Sequence, residues 1–267
     1  MVEGQAGLGL VELVEGGASL HVPGLVTFDV AGDSTVTARR EAGGDELDVA
    51  CLAGGTATAL GWLLAGAFPL RAAAVGRGSR LLLICGRAAA GKSALAASLV
   101  QADGDFWLAA DKVAAIDAGG LLLGCADSGV ELWPPVARRL GLESDGAVVR
   151  PSLAKRRYEM RSFAGTEPAM TALVAFLDID NRLAEPELEE LASGREKLQA
   201  LVSAQWHRRL IAPLGFGLAH LEWASSVARA IPMVRLARPR QAMTLESLTE
   251  LVRDAFESGP TGPAGAT

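Results

Sequence analysis

The chain has 267 residues, half of them hydrophobic, 21% charged and 5% aromatic, with a net charge of −6. That supply of Ala, Leu and Val can fill a sizeable core, in one larger domain or in a core domain with a small companion, and the acidic balance argues against nucleic acid as the main partner. The longest apolar candidate for a membrane span, 57–75, is interrupted by Gly61, Gly66, Pro69 and Arg71, short of the ~18 uninterrupted residues a span needs. Glu3 near the N-terminus, with no basic segment ahead of an apolar one, does not fit a signal peptide. Cys51, Cys85 and Cys125 lie in apolar surroundings without metal spacing and read as reduced, buried residues. These features predict a cytoplasmic protein with no membrane partner.

Residues 1–17 are apolar and glycine-rich without a clear period. From Ala18 to Val49, short alternating runs (19–22, 25–30 and 35–38) are separated by Pro23-Gly24, Ala31-Gly32-Asp33 and Gly43-Gly44, the pattern of a small antiparallel sheet. Leu60, Leu63, Leu64 and Ala67 recur at helical spacing, predicting a helix over 56–68 that ends before Pro69. A first core strand is expected at 70–75, a turn at 76–79 and a buried strand at 81–85. A helix follows from Ala94, with Ser93 in its first turn. Phe106–Ala110 reads as a strand ending in Asp111, and 113–117 with 121–125 as a hairpin. Leu132-Trp133-Pro134-Pro135 interrupts the chain before a short helix over 136–142.

Farther on, 141–163 is mixed and carries Lys155-Arg156-Arg157, either a solvated surface or, with Arg161, a phosphate clamp or acidic docking site. A strand is expected at 173–179, an amphipathic helix within 188–206, another over 218–229 and a late strand at 233–236. Thr244 is the expected cap of a last helix presenting Leu245, Leu248, Leu251, Val252 and Phe256 on one face. Asp178 and Asp180 read as turn acids. His21 and His220 read as structural, Trp133 and Trp223 as core, and Trp206-His207-Arg208-Arg209 as helical surface. The Gly/Pro/Ala-rich end has nothing to bury.

One stretch carries chemistry. Gly86-Arg87-Ala88-Ala89-Ala90-Gly91-Lys92-Ser93 matches G-x-x-x-x-G-K-[ST] between a buried strand and a helix. In such a P-loop, backbone N–H groups from Gly86 to Ala94 would cradle phosphates at a helix N-terminus. Lys92 would reach the β/γ-phosphates, and the Ser93 hydroxyl would ligate Mg²⁺. A second acid must hold the metal or receive the acceptor's proton, and Asp111, closing a neighbouring strand, is placed for that.

The order Leu70-Arg71-Ala72-Ala73-Ala74-Val75, then the loop, then Leu108-Ala109-Ala110-Asp111 resembles the HPr kinase/phosphorylase family and its smaller relatives. Those read L-H-A-S-A-V, G-P-S-G-A-G-K-S and L-S-D-D at the corresponding places. Leu132-Trp133-Pro134-Pro135 and Ile231-Pro232-Met233-Val234-Arg235-Leu236 also resemble stretches common there. The resemblance implies an α/β fold, a P-loop core with a mixed sheet related to phosphoenolpyruvate carboxykinase. It further implies ATP and Mg²⁺ as cofactors, a Ser/Thr hydroxyl on a small protein or peptide as acceptor, and a homo-oligomer. Three positions depart from the family. Arg71 stands at its His, Ala110 at the first acid of its pair, and Ala89 at an inner glycine, where positive φ would be hindered. Arg71 would then neutralise phosphate charge, or pair with Asp111 and depress its pKa.

The expected organisation is a small β-rich region with a linking helix over 1–68, a P-loop kinase-like domain over 69–257 and a tail over 258–267. Three functions follow: an ATP-dependent Ser/Thr kinase using Lys92, Ser93, Asp111 and Arg71; a degraded relative that binds nucleotide or a partner as a regulatory or scaffold subunit; or a P-loop NTPase or small-molecule kinase of another family.

Overall fold

The structure, a computed structural model, describes residues 2–3, 9–102, 104–125, 129–142, 146–151, 153–162, 168–240 and 245–259. It opens with a five-stranded antiparallel meander of β1 (Val2–Glu3), β2 (Leu10–Val14), β3 (Gly17–Val22), β4 (Val26–Ala31) and β5 (Val36–Arg40). Alternation makes it: Ala18 and Leu20 of β3 and Val26, Phe28 and Val30 of β4 are buried, while Ser19 hydrogen-bonds Asp29 on the other face at 3.1 Å. The stretch without a sequence period contains β2. There only Val11 is buried, and Leu10, Leu13 and Val14 are exposed.

The linking helix is longer at its front than the periodicity predicts. Asp45 accepts the amides of Leu47 and Asp48 and starts α1 (Glu46–Leu52). A π turn, Ala53–Ala57, then carries the chain through Gly54-Gly55 into α2 (Thr58–Leu64). Among the described residues this is one helix, Glu46–Leu64, long and apolar enough to cross a membrane. Here Leu52, Ala57, Ala59, Leu60 and Leu63 are buried in the core.

The main sheet is built from β6 (Ala72–Arg77), β7 (Arg80–Gly86), β8 (Phe106–Ala110), β14 (Met170–Ile179), β15 (Glu187–Glu190) and β16 (Met233–Arg238), in the order β15-β16-β14-β7-β6-β8. Strands β7, β14 and β16 are parallel, and β6 is antiparallel to β7 and β8. The fold is therefore α/β with a mixed sheet, beside a small N-terminal antiparallel sheet. Both faces are covered. Ala72, Ala74, Leu81, Leu83 and Cys85 join the core that contains the meander and the linking helix. Ala73, Val75, Leu82 and Ile84 face α3 (Lys92–Ala102) and α7 (Leu245–Ser258). Two-sided burial is why these strands read as unbroken apolar runs.

Smaller elements flank this frame. They are the hairpin β9 (Ala114–Ile116) and β10 (Leu122–Cys125), and a three-stranded sheet of β11 (Gly129–Leu132), β12 (Ala147–Arg150) and β13 (Leu153–Glu159). Helices α4 (Pro134–Arg139), α5 (Gly194–Ala204) and α6 (Gly217–Ala230) complete the chain. Pro134 begins α4 rather than breaking the chain, since an N-terminal proline lacks only an amide the helix would not use.

Several expectations are corrected. Within 188–206 the expected amphipathic helix is α5, which starts at a capping box of Ser193 and Glu196, while the charged front, Leu188–Glu190, belongs to the edge strand β15. Trp206 is buried, and His207 takes a left-handed φ of 46° outside any α-helix. Trp133 is 47% exposed rather than core, and Cys125 is exposed rather than buried. The expected cap Thr244 and the chain beyond Gly259 lie outside the described residues.

Candidate functional site

Register brings the sequence-singled residues to one edge of the main sheet. Cys85 pairs with Ala72, so Arg71, just before β6, lies beside Gly86 at the end of β7. Ala110 pairs with Ala74, which puts Asp111 at the same edge, and Leu177 pairs with Gly86. Arg238 pairs with Ile179 and ends β16 there too. The carboxyl ends of parallel strands are where open α/β sheets bind ligands.

The Gly86–Ser93 loop joins β7 to α3 through a demanding backbone. Gly86 has φ +151°, and a Cβ there would lie 2.4 Å from the Leu177 carbonyl oxygen. Gly91 has φ +111°. Ala89 takes φ 62°, the left-handed conformation that its Cβ disfavours. The inner-glycine geometry is thus kept without the glycine. The Gly91 carbonyl accepts the first helical bond, from Leu95 at 2.9 Å. Among the described residues, the amides of Ala89, Gly91, Lys92, Ser93 and Ala94 donate to no protein acceptor. Helix geometry leaves the first amides unpaired, and the loop adds more at the positive end of the helix dipole.

Cations surround these donors. The Lys92 ammonium donates to the carbonyls of Gly86 and Arg87, each at 3.0 Å. Burial holds its pKa below the usual lysine value, helped by the charges of Arg71 and Lys155 and opposed by Cys85 and Asp111. Lys155 lies 5.9 Å from the exposed Trp133 ring. Arg87 is exposed on the loop. Arg238 donates from Nε to the Ala90 carbonyl at 2.8 Å.

The acid side is arranged differently. Asp111 is 1% exposed and accepts from Ser93 Oγ at 2.7 Å, from its neighbour Lys112's amide at 3.1 Å and from the Glu131 amide at 3.1 Å. Burial raises its pKa, against the lowering by the Glu131 amide, Ser93 and Lys112. Arg71 does not pair with Asp111, so the expected depression of that pKa is corrected. The arginine instead acts on Lys92 and on His207, whose pKa is lowered to about 4 first by burial and then by Arg71. Lys112, at φ 78°, ion-pairs with the buried Glu131 and reaches Cys51 Sγ at 3.6 Å. Burial works against the Lys112 charge, but Glu131, Cys51 and Asp111 outweigh it and raise its pKa.

Among the described residues no group of three or more His, Cys, Asp or Glu side chains could enclose a metal. The donors present suit a different arrangement. The Ser93 hydroxyl donates a hydrogen bond to Asp111 and keeps oxygen lone pairs for a hard cation, which fits Mg²⁺, an ion that keeps several waters and shares phosphate oxygens. Asp111 would act on such an ion through Ser93.

Of the candidates, Arg71, the Gly86–Ala94 segment and Asp111 come together. Asp180 is held by Arg182 through three hydrogen bonds, from the amide at 2.9 Å and the guanidinium at 3.0 and 2.6 Å. Lys155 belongs to the site, whereas Arg156 and Arg157 pair along β13 with β11 and β12. Glu131, Lys112 and Arg238 were not singled out from sequence. Their signals were present: a carboxylate within the apolar run 129–132, and arginine at the carboxyl end of a late strand.

No family model and no curated protein matches the chain. Among solved structures the chain is similar to the Hpr(Ser) kinase/phosphatase from Coxiella burnetii, at 13% sequence identity and a TM-score of 0.32, over 71% of this chain and 97% of that one.

Proposed function

We propose that Gly86–Ser93 is a P-loop for MgATP, and that the protein is an HPr kinase-like enzyme phosphorylating a Ser/Thr hydroxyl of a small protein or peptide. One observation carries the nucleotide reading: among the described residues, five amides of the loop and helix N-terminus have no protein acceptor, on the same loop whose carbonyls hold the Lys92 ammonium. Each phosphate oxygen they receive forms a charge-assisted hydrogen bond, about twice as strong as a neutral one. Lys92 exchanges its bonds to the Gly86 and Arg87 carbonyls for phosphate oxygens. Arg71 adds positive charge where the transferred group would lie. Bound Mg²⁺ would supply further neutralisation of the phosphates, held by Ser93 while Asp111 keeps that hydroxyl oriented. Phosphoryl transfer depends mostly on position and charge, so Asp111 serves here as a positioning residue.

A second reading, nucleotide binding without transfer in a regulatory or scaffold subunit, is favoured by the burial of Asp111 and by its three hydrogen bonds. That carboxylate has no face open to an acceptor hydroxyl.

Calorimetric titration tests the shared part. Wild type should bind MgATP, and Lys92→Ala should bind about 30-fold more weakly, the ~2 kcal/mol of a charge-assisted bond. Transfer of labelled phosphate to a serine-containing protein or peptide then separates the two readings. Absence of MgATP binding by wild type refutes both.

A further inference from the structure

Arg238 is the least explained charge near the loop. It closes β16, two strands from β7, and its side chain crosses the end of β14 to reach the loop. Two of its three nitrogens are committed: Nε donates to the Ala90 carbonyl at 2.8 Å and Nη1 to the Pro239 carbonyl at 3.0 Å. Nη2 has no partner among the described residues, and it lies 3.7 Å from where a Gly91 Cβ would stand. Among the described residues no carboxylate pairs with this half-buried guanidinium. The acids at the adjacent strand end are engaged elsewhere, Asp178 by Arg235 at 3.9 Å and Asp180 by Arg182. Burial, followed by the charge of Arg240, pushes its pKa below the usual arginine value. A fixed, partly desolvated cation with one guanidinium nitrogen unpartnered among the described residues is poised for an anion.

The position of that edge limits the anion. Phosphates lodged against the amides of Ala89–Ala94 are enclosed by the loop itself. A further phosphate must project over the carboxyl edge of the sheet, where Arg71 stands on the β6 side and Arg238 on the β16 side. We propose that Arg238 Nη2 binds the terminal phosphate of a nucleoside triphosphate seated on the Gly86–Ser93 loop, and thereby makes the site distinguish a triphosphate from a diphosphate. This rests on the P-loop reading and adds the residue that senses the third phosphate. The bond to Ala90 prepays the ordering of a long side chain, so the contact is made at low entropic cost.

The experiment is calorimetric titration of MgATP and MgADP into wild type, Arg238→Gln and Arg238→Lys. Arg238→Gln should weaken MgATP about tenfold or more and MgADP less than threefold, a selectivity change that mere loosening of the loop would not give. Arg238→Lys should also lose selectivity, because an ammonium cannot hold Ala90 and a phosphate at the geometry of a guanidinium; it carries the test if the glutamine variant does not fold. Equal weakening for both nucleotides, or none, overturns the role of Arg238 while leaving the P-loop intact. Failure of wild type to bind either nucleotide overturns the P-loop reading and this inference together.

Discussion

Two clusters share one edge of the main sheet and stand in opposite states. Around Gly86–Ser93, five amides lack protein acceptors among the described residues, Ala89 is held at positive φ, and Arg71, Lys92, Lys155 and Arg238 form no ion pair among the described residues. Behind it, Asp111 accepts three hydrogen bonds, Glu131 is neutralised by Lys112, and Cys51 of the linking helix completes the group. The first cluster leaves donors and positive charge without protein partners among the described residues; the second pairs its charges internally. Ser93 is the hinge between them, an open oxygen on one side and a donated proton on the other. Binding and chemistry therefore place different demands on this site. On the proposed nucleotide reading, the loop binds phosphate as long as its amide donors stay free of protein acceptors. An acid that takes a proton from an acceptor needs a lone pair facing it, and Asp111 is buried with three donors already turned to it.

Breaking the satisfied cluster should have the largest effect on stability. Lys112→Met leaves Glu131 buried without its partner, and should cost about 3 kcal/mol in urea unfolding. Adding Glu131→Leu should recover most of that loss, because an apolar pair can replace a buried ion pair. If Lys112→Met costs only a few tenths, the two clusters do not differ as described.

The cationic side can be probed through His207. Its folded pKa of about 4 lies below the ordinary 6.5, so the unfolded chain binds the proton first. Stability from the neutral imidazole is present above pH ~6.5 and lost as pH falls toward 4, by roughly 2 kcal/mol once partial exposure is discounted. Urea midpoints at pH 7.5 and 5 should show that slope in wild type. His207→Asn, which tolerates left-handed φ, should flatten it.

The smallest effect tests the strain of the loop. Ala89→Gly relieves a left-handed alanine and should raise stability by about 1 kcal/mol or slightly less, because glycine is also freer when unfolded. Its thermal midpoint should rise by a few degrees, and MgATP binding should persist. A fall in the midpoint would mean that the loop does not hold Ala89 in a strained conformation.

Much of the frame was legible because its signals are local. The strand–loop–helix at 80–102, the hairpin at 114–125 and the strand before Asp111 follow from short apolar runs and turn residues. The β15 edge strand was not legible. Glu187–Glu190 alternates poorly, and its strand character comes from pairing with β16 rather than from propensity. The π turn hid the start of the linking helix, since Gly54-Gly55 reads locally as a break while the Asp45 cap lies ahead of it. Trp133 was misplaced because a large aromatic next to two prolines carries no mark of the face it occupies.

By itself the sequence determined the loop's chemistry: which residues carry glycine, lysine and serine between a buried strand and a helix, and which acid closes a nearby strand. These follow from spacing along the chain, which any fold must respect. Tertiary structure decided which charges meet. Arg238 lies 148 positions from the Ala90 carbonyl it holds, and Glu131 lies 20 from the Asp111 it supports. Register across the sheet brought Arg71 beside Gly86, where its charge acts on Lys92. Electrostatic energy depends on distance and burial in space, and neither is written in the order of residues.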